Sequence, residues 1–184
     1  MADTQKPAAA DFSARFDNFR HSLFRLETLD FYAVNGDMLD RYLAGEPLPP
    51  AGKSSDWLNF VRQATAAGKS IQRIHVVPRK LTPYLRYEIE WGYLYNAAAG
   101  EDIRLIVTDD PASVLGKPPL TDYWLIDDDA VGRMEYDAKG TFIGTTVITD
   151  PAEVARYKTA RDNLIRQAIP LREFLQRERG GREL

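Results

Sequence analysis

Between Thr82 and Thr108 the apolar positions change period. Over the first two-thirds of this stretch they recur at helical spacing, with Leu85, Ile89, Gly92 and Asn96 on one side and Tyr84, Tyr87, Glu88, Trp91 and Tyr95 on another. Thr82 suits an N-cap and Pro83 the first helical position. Gly100 is a stop signal, and Ile103, Leu105 and Val107 then alternate as in a strand. A stripe of four aromatics around one carboxylate points to a ligand or partner surface. The plainer reading makes Trp91 and the tyrosines core, with Glu88 paired to Arg86 or Arg104.

The same pattern logic organises the rest of the chain. Residues 1–10 are small and polar with Pro7 and read as a disordered tail, and 180–184 as a frayed end. Phe12, Phe16 and Phe19 recur at helical spacing on a short helix or arm leading into a strand over 22–28, where Leu23, Arg25 and Glu27 alternate with Phe24 and Leu26. Exposed, those phenylalanines would suit a partner; packed, they belong to the protein's own core. Helices are predicted over 36–43 and 56–67, and a strand covered on both faces over 70–77. Strands follow over 123–126, 131–136 and 141–148, the last two as a hairpin turning through Asp137-Ala138-Lys139-Gly140. Asp150-Pro151-Ala152-Glu153 is a strong helix start, and the helix runs to about Ile169 before Pro170. Helix, turn and strand in succession imply βαβ units. The expectation is one α/β domain over 11–179, with a mixed, mainly parallel central sheet, helices on both faces, and a C-terminal hairpin and long helix.

Composition narrows the chemistry. There is no cysteine, hence no disulfide, thiolate nucleophile or cysteine metal site. A net charge of −3 disfavours direct nucleic-acid binding, although the closing helix is rich in arginine interleaved with acids. No apolar run reaches a membrane span and no signal-peptide core is present, so the expected location is cytoplasmic. Of two histidines, His75 lies inside a buried strand and reads as a satisfied core residue, while His21 has no partner motif. Asp127, Asp128 and Asp129 at a strand end could meet a hard cation, but three consecutive residues diverge and read better as a polar turn. Neither catalytic residues, nor a metal site, nor a cofactor is assigned.

LFRLETL, WLNFVRQATAAGKSIQRIHVV, LTPYLRYEIEWGYLYNAAAGEDIRLI, DYWLIDDDAV and DPAEVARYKTARDNLIRQAIP together resemble an uncharacterised actinobacterial domain-of-unknown-function family, often encoded near helix-turn-helix regulators. The most specific part surrounds Arg86, Glu88, Trp91, Tyr93 and Asn96. The order of helix, strand, long helix, Ala-Gly-x-x-Ile and strand into Asp-Asp also resembles one half of a phospholipase D-like domain. Those enzymes need H-x-K-x-x-x-x-D, and here Leu120 or Thr121 stands at the histidine and Asp122 or Tyr123 at the lysine, so the resemblance implies a non-catalytic relative. The expected function is a regulatory or sensor protein binding a small ligand or a protein partner, such as a helix-turn-helix regulator. Its surface would comprise Tyr84, Arg86, Glu88, Trp91, Tyr95 and Asn96, with Trp124 and Asp128 nearby. The competing expectation is a hydrolase or tailoring enzyme using Glu88 and Asp127–Asp129.

Overall fold

The computed structural model describes residues 5–33, 37–49, 55–116 and 120–180. In chain order the elements are α1 (Gln5–Asp17), β1 (Ser22–Glu27), α2 (Met38–Leu43), α3 (Asp56–Ala66), β2 (Ser70–Val77), α4 (Pro83–Tyr87), a π-helical turn (Glu88–Gly92) and α5 (Tyr93–Ala99). They continue with β3 (Asp102–Val107), α6 (Ala112–Leu115), β4 (Tyr123–Ile126), β5 (Ala130–Tyr136), β6 (Phe142–Ile148), α7 (Pro151–Gln167), β7 (Ile169–Pro170) and α8 (Leu171–Gly180). Local signals explain the helix ends. Thr82 Oγ1 accepts from the Leu85 amide at 3.1 Å, and Asp150 Oδ1 from the Glu153 amide at 2.9 Å. Gly100 leaves the helix at φ 113°, a left-handed value that favours glycine.

The seven strands form one sheet in the order β6-β5-β4-β1-β2-β3-β7. Only β1–β2 and β2–β3 are parallel; the other four pairs are antiparallel. The expectation of a mainly parallel sheet is therefore corrected. The two βαβ crossovers are present, but the second half of the chain returns through hairpins and lays β4 antiparallel on β1.

Alternation along the central strands assigns two faces. Phe24, Leu26, Ile74, Val76, Ile106, Tyr123 and Leu125 form an apolar core with Val154 and Leu164 of α7. On the other face, Leu23, Ile71 and Ile126 pack under α3 at one end of the strands, while Val77, Ile103 and Leu105 pack under α4, α5 and α8 at the other. Between these two apolar patches runs a polar band.

One terminal expectation changes. α1 begins at Gln5, so residues 5–10 are helical where a disordered tail was expected; Ala8, Ala9 and Ala10 are strong helix formers. Residues 1–4 and 181–184, and Gly36 at the start of the expected 36–43 helix, lie outside the described residues. The phenylalanine-bearing helix is docked: the Phe16 ring meets Trp124 edge-on at 4.9 Å and stacks on Phe60 at 5.7 Å. Phe12 sits so close over Gly132 that a Cβ there would fall 2.1 Å from its ring.

Candidate functional site

Strand alternation puts Arg25 and Glu27 of β1 on the same face as Leu23, and in-register pairing sets them beside Arg73 and His75 of β2. The result is a line of alternating charges across β1 and β2, closed by Asp122 just before β4 and Glu101 just before β3. Arg25 Nη2 donates to Asp122 Oδ2 at 2.8 Å, and its Nε lies 3.4 Å from Glu27 Oε1. Arg73 Nη1 reaches the same Glu27 oxygen at 2.5 Å and its Nε reaches Glu101 Oε1 at 2.7 Å. Asp122 also accepts from Tyr32 at 2.6 Å and from the Thr28 hydroxyl at 2.7 Å. All six of Arg25, Glu27, Arg73, His75, Glu101 and Asp122 are buried. Burial opposes ionisation of Glu27, but Arg73 and Arg25 outweigh it and hold the carboxyl far below its usual range.

His75 extends this band toward the covering helix. Its Nε2 lies 2.9 Å from the Leu29 carbonyl oxygen, which can only accept, so Nε2 carries a proton. Its Nδ1 is 2.6 Å from the Tyr93 hydroxyl, and that oxygen is 2.7 Å from Glu27 Oε2. Tyr93 has one proton for two short gaps. With Glu27 ionised, the hydroxyl donates to Glu27 and Nδ1 must donate to Tyr93, so His75 is an imidazolium. Burial works against that charge, and the acidic neighbours Glu88 and Glu27 overcome it, raising the histidine above its ordinary value. Glu88 Oε2 stands 3.4 Å from Nδ1, beyond the closer Tyr93 hydroxyl. That oxygen and Arg25 Nη1 are buried side-chain atoms with no hydrogen-bond partner among the described residues.

The direction of the shift sets a pH dependence. A histidine raised on folding contributes stability that is fully present below its unfolded value, about 6.5, and is lost as pH rises through the folded value. The unfolding free energy of the wild type, measured by urea titration, should fall between pH 6.5 and the folded value, by at most about 1.4 kcal/mol per pH unit. His75→Gln should flatten that slope. An equal slope in the variant would assign the titration elsewhere.

A π-helical turn explains how one helix serves this band. Residues five apart on an α-helix point about 140° apart, yet Glu88 and Tyr93 both reach the His75 and Glu27 cluster. The extra residue per turn over Glu88–Gly92 realigns them. The single aromatic stripe read from the sequence is consequently split. Tyr84 is buried and donates to Glu88 Oε1 at 3.2 Å on the inner side. Trp91 is 5% exposed and packs edge-on against Tyr42 and Tyr87. The Tyr95 hydroxyl donates to the Pro49 carbonyl, and the Asn96 carbonyl accepts from the Glu101 amide.

Trp124 and Asp128 lie elsewhere. Trp124 belongs to the aromatic cluster beneath α1 and α3, stacked by Arg25 at 5.5 Å. Asp128 is paired with Arg161 and, at 3.5 Å, with Lys158 on α7. Asp127 accepts the backbone amides of Arg20 and His21 at 2.7 Å and of Ser22 at 3.0 Å, anchoring the start of β1. Asp127 and Asp128 both have left-handed φ, as the tight β4–β5 turn demands. The aspartate run is thus a structural corner and does not converge with Glu88. Among the described residues no group of three or more acidic, histidine or cysteine side chains is arranged to hold a metal.

On its outer side the same helix lines a cleft of about 380 Å3 closed by α8. Ile89, Trp91, Leu94 and Phe174 form its apolar wall, while Arg86, Glu90 and Glu178 supply charge. Glu90 accepts from Tyr42 at 2.7 Å, whereas the side chains of Arg86 and Glu178 make no hydrogen bond or ion pair with described residues. Sequence reasoning missed Arg25, Glu27, Arg73, Glu101 and Asp122 as a unit. The available signal was the parity of Arg25 and Glu27 with the buried Leu23, and of Arg73 and His75 with Ile71.

Comparisons with known proteins place these features. No relative is found among curated protein sequences. One solved structure, the archaeal chromatin protein TrmBL2, described as showing a novel mode of DNA binding, aligns at 11% identity and a TM-score of 0.47. The alignment covers 89% of this chain but 50% of TrmBL2, so the chain spans half the length of that protein. The expectation that nucleic-acid binding is disfavoured is corrected: a net charge of −3 over the whole chain does not exclude it, and the neighbour so aligned is itself described as DNA-binding. A TM-score of 0.47 equally carries no argument that this chain binds DNA. No helix of the described residues is long and apolar enough to cross a membrane. A family model matches residues 10–176, nearly the whole chain, and by that match the protein belongs to the family described as a domain of unknown function, DUF6879.

Proposed function

We propose that this protein is a non-catalytic cytoplasmic sensor that binds a small carboxylate-bearing ligand in the cleft between the α4–α5 helix and α8. The observation that carries this reading is Arg86, a half-buried arginine without a partner among the described residues, beside an apolar wall. Ligand sites are commonly apolar clefts of about 300–1,000 Å3 with a few polar groups that fix orientation. An arginine suits a carboxylate because its fork matches both oxygens. The charged band inside is paired mostly within itself, with only Arg25 Nη1 and Glu88 Oε2 left over, which supports a structural role for it and leaves the cleft as the open chemistry.

A helix-turn-helix regulator is the recipient of the signal in this proposal, following the family resemblance in the sequence. The phospholipase D-like kinship enters here too. Its would-be lysine position is occupied by Asp122, which is engaged with Arg25, or by the buried Tyr123, and this favours binding over phosphoryl chemistry. The enzymatic alternative built on Glu88 and Asp127–Asp129 is less favoured because those carboxylates hold different partners.

Arg86→Ala tests the reading. The variant should unfold within about 0.5 kcal/mol of the wild type, since a half-exposed side chain without partners contributes little. In a thermal-shift screen of small organic acids, an acid that raises the wild-type melting temperature should fail to raise that of the variant. Equal shifts in both proteins would place the site elsewhere.

A further inference from the structure

Two unpartnered charges of opposite sign face the same cleft from different helices. Arg86 comes from α4 and Glu178 from α8, and no ion pair joins them. Glu90 adds a second carboxylate, one oxygen of which is already taken by the Tyr42 hydroxyl. Between the charges lies the wall of Ile89, Trp91, Leu94 and Phe174. A ligand carrying only an anion would pair with Arg86 and bring its charge toward the carboxylates of Glu178 and Glu90. A purely apolar ligand would satisfy neither. From this arrangement we infer that the ligand is a zwitterion with an apolar body, namely an apolar α-amino acid. Its carboxylate meets Arg86, its ammonium meets Glu178 with help from the free oxygen of Glu90, and its side chain lies on Trp91 and Phe174.

This deepens the ligand-binding reading above and rests on it. The apolar wall serves the side chain by burial. Bridging α4 and α8 would also tie the last helix to the π-helical segment that faces His75, so occupancy has a direct mechanical route to the interior.

The test is calorimetric titration of the full chain with L-phenylalanine and L-leucine, beside N-acetyl-L-phenylalanine, which lacks the ammonium, and L-phenylalanine amide, which lacks the carboxylate. The free amino acid should bind at least about tenfold more tightly than either blocked form, a difference of about 1.4 kcal/mol. Arg86→Ala should erase the preference over the amide, and Glu178→Gln the preference over the N-acetyl form. Both side chains are solvent-accessible, so both variants should fold, as far-ultraviolet circular dichroism would verify. Binding of N-acetyl-L-phenylalanine as tightly as phenylalanine overturns the zwitterion inference and leaves the carboxylate site standing. Absence of heat with all four compounds overturns the inference, and the organic-acid screen with Arg86→Ala then decides the broader reading separately.

Discussion

Replacing Arg73 by alanine should destabilise the protein by about 3–5 kcal/mol, the range for removing one partner of a buried ion pair. Arg73 is buried and bridges Glu27 and Glu101, both buried themselves. Without it, Glu101 keeps the Trp57 indole N–H at 3.3 Å and no arginine, while Glu27 keeps Arg25 at 3.4 Å. Two carboxylates would then remain ionised in a site poor in water, or would take up protons to escape the charge. A domain of this kind has about 5–15 kcal/mol of stability in total, so the loss is a large fraction of it. Urea unfolding at pH 7 measures the cost. Repeating it at pH 5 should show a smaller deficit, because losing Arg73 removes the main influence that holds the Glu27 carboxyl low, and protonating that carboxyl relieves the site. A cost below about 1 kcal/mol at pH 7 would mean that the band is solvated and that its ion pairs behave like surface pairs.

The second large effect is expected at Trp91. Truncation to alanine should cost about 3–5 kcal/mol, as for other large aromatic side chains removed from cores. Trp91 is 5% exposed and sits against Tyr42 and Tyr87 while its remaining edge lines the cleft. A tryptophan on an open binding face would leave the melt nearly unchanged when truncated, and the burial of the indole leads to the opposite expectation. Thermal denaturation of Trp91→Ala beside Arg86→Ala separates the two kinds of residue in this cleft. A large drop for the first and almost none for the second is the expected pair of results. Equal melting temperatures would show that the indole is not packed as described.

The helix carrying both residues illustrates what a local pattern can and cannot convey. Its start at Thr82-Pro83 and its stop at Gly100 were legible because capping is decided by neighbours within one turn. The π turn over Glu88–Gly92 was not, since any reading at a constant 3.6-residue period assumes that the turn is absent. One inserted residue redistributes the stripe, sending Glu88 and Tyr93 inward and leaving Arg86 and Glu90 at the cleft. The aspartate corner shows the reverse case. A polar turn at 127–129 was readable from composition, whereas the task of Asp127, holding three amides of a segment more than a hundred residues away, was not.

By itself the sequence determined which of the longer stretches are helices and strands, where most of them begin and end, and that the fold is α/β. Those properties follow from side-chain period, caps and turn residues, all of which act over a few positions. Tertiary structure alone decided the mostly antiparallel sheet, the charged band and the cleft. Strand direction depends on which partner a returning chain meets, as when β4 pairs with β1 rather than continuing the parallel series. A buried arginine or glutamate is tolerable only once its counter-charge arrives from another strand. For Arg25 that partner is Asp122, and for Arg73 it is Glu101 together with Glu27.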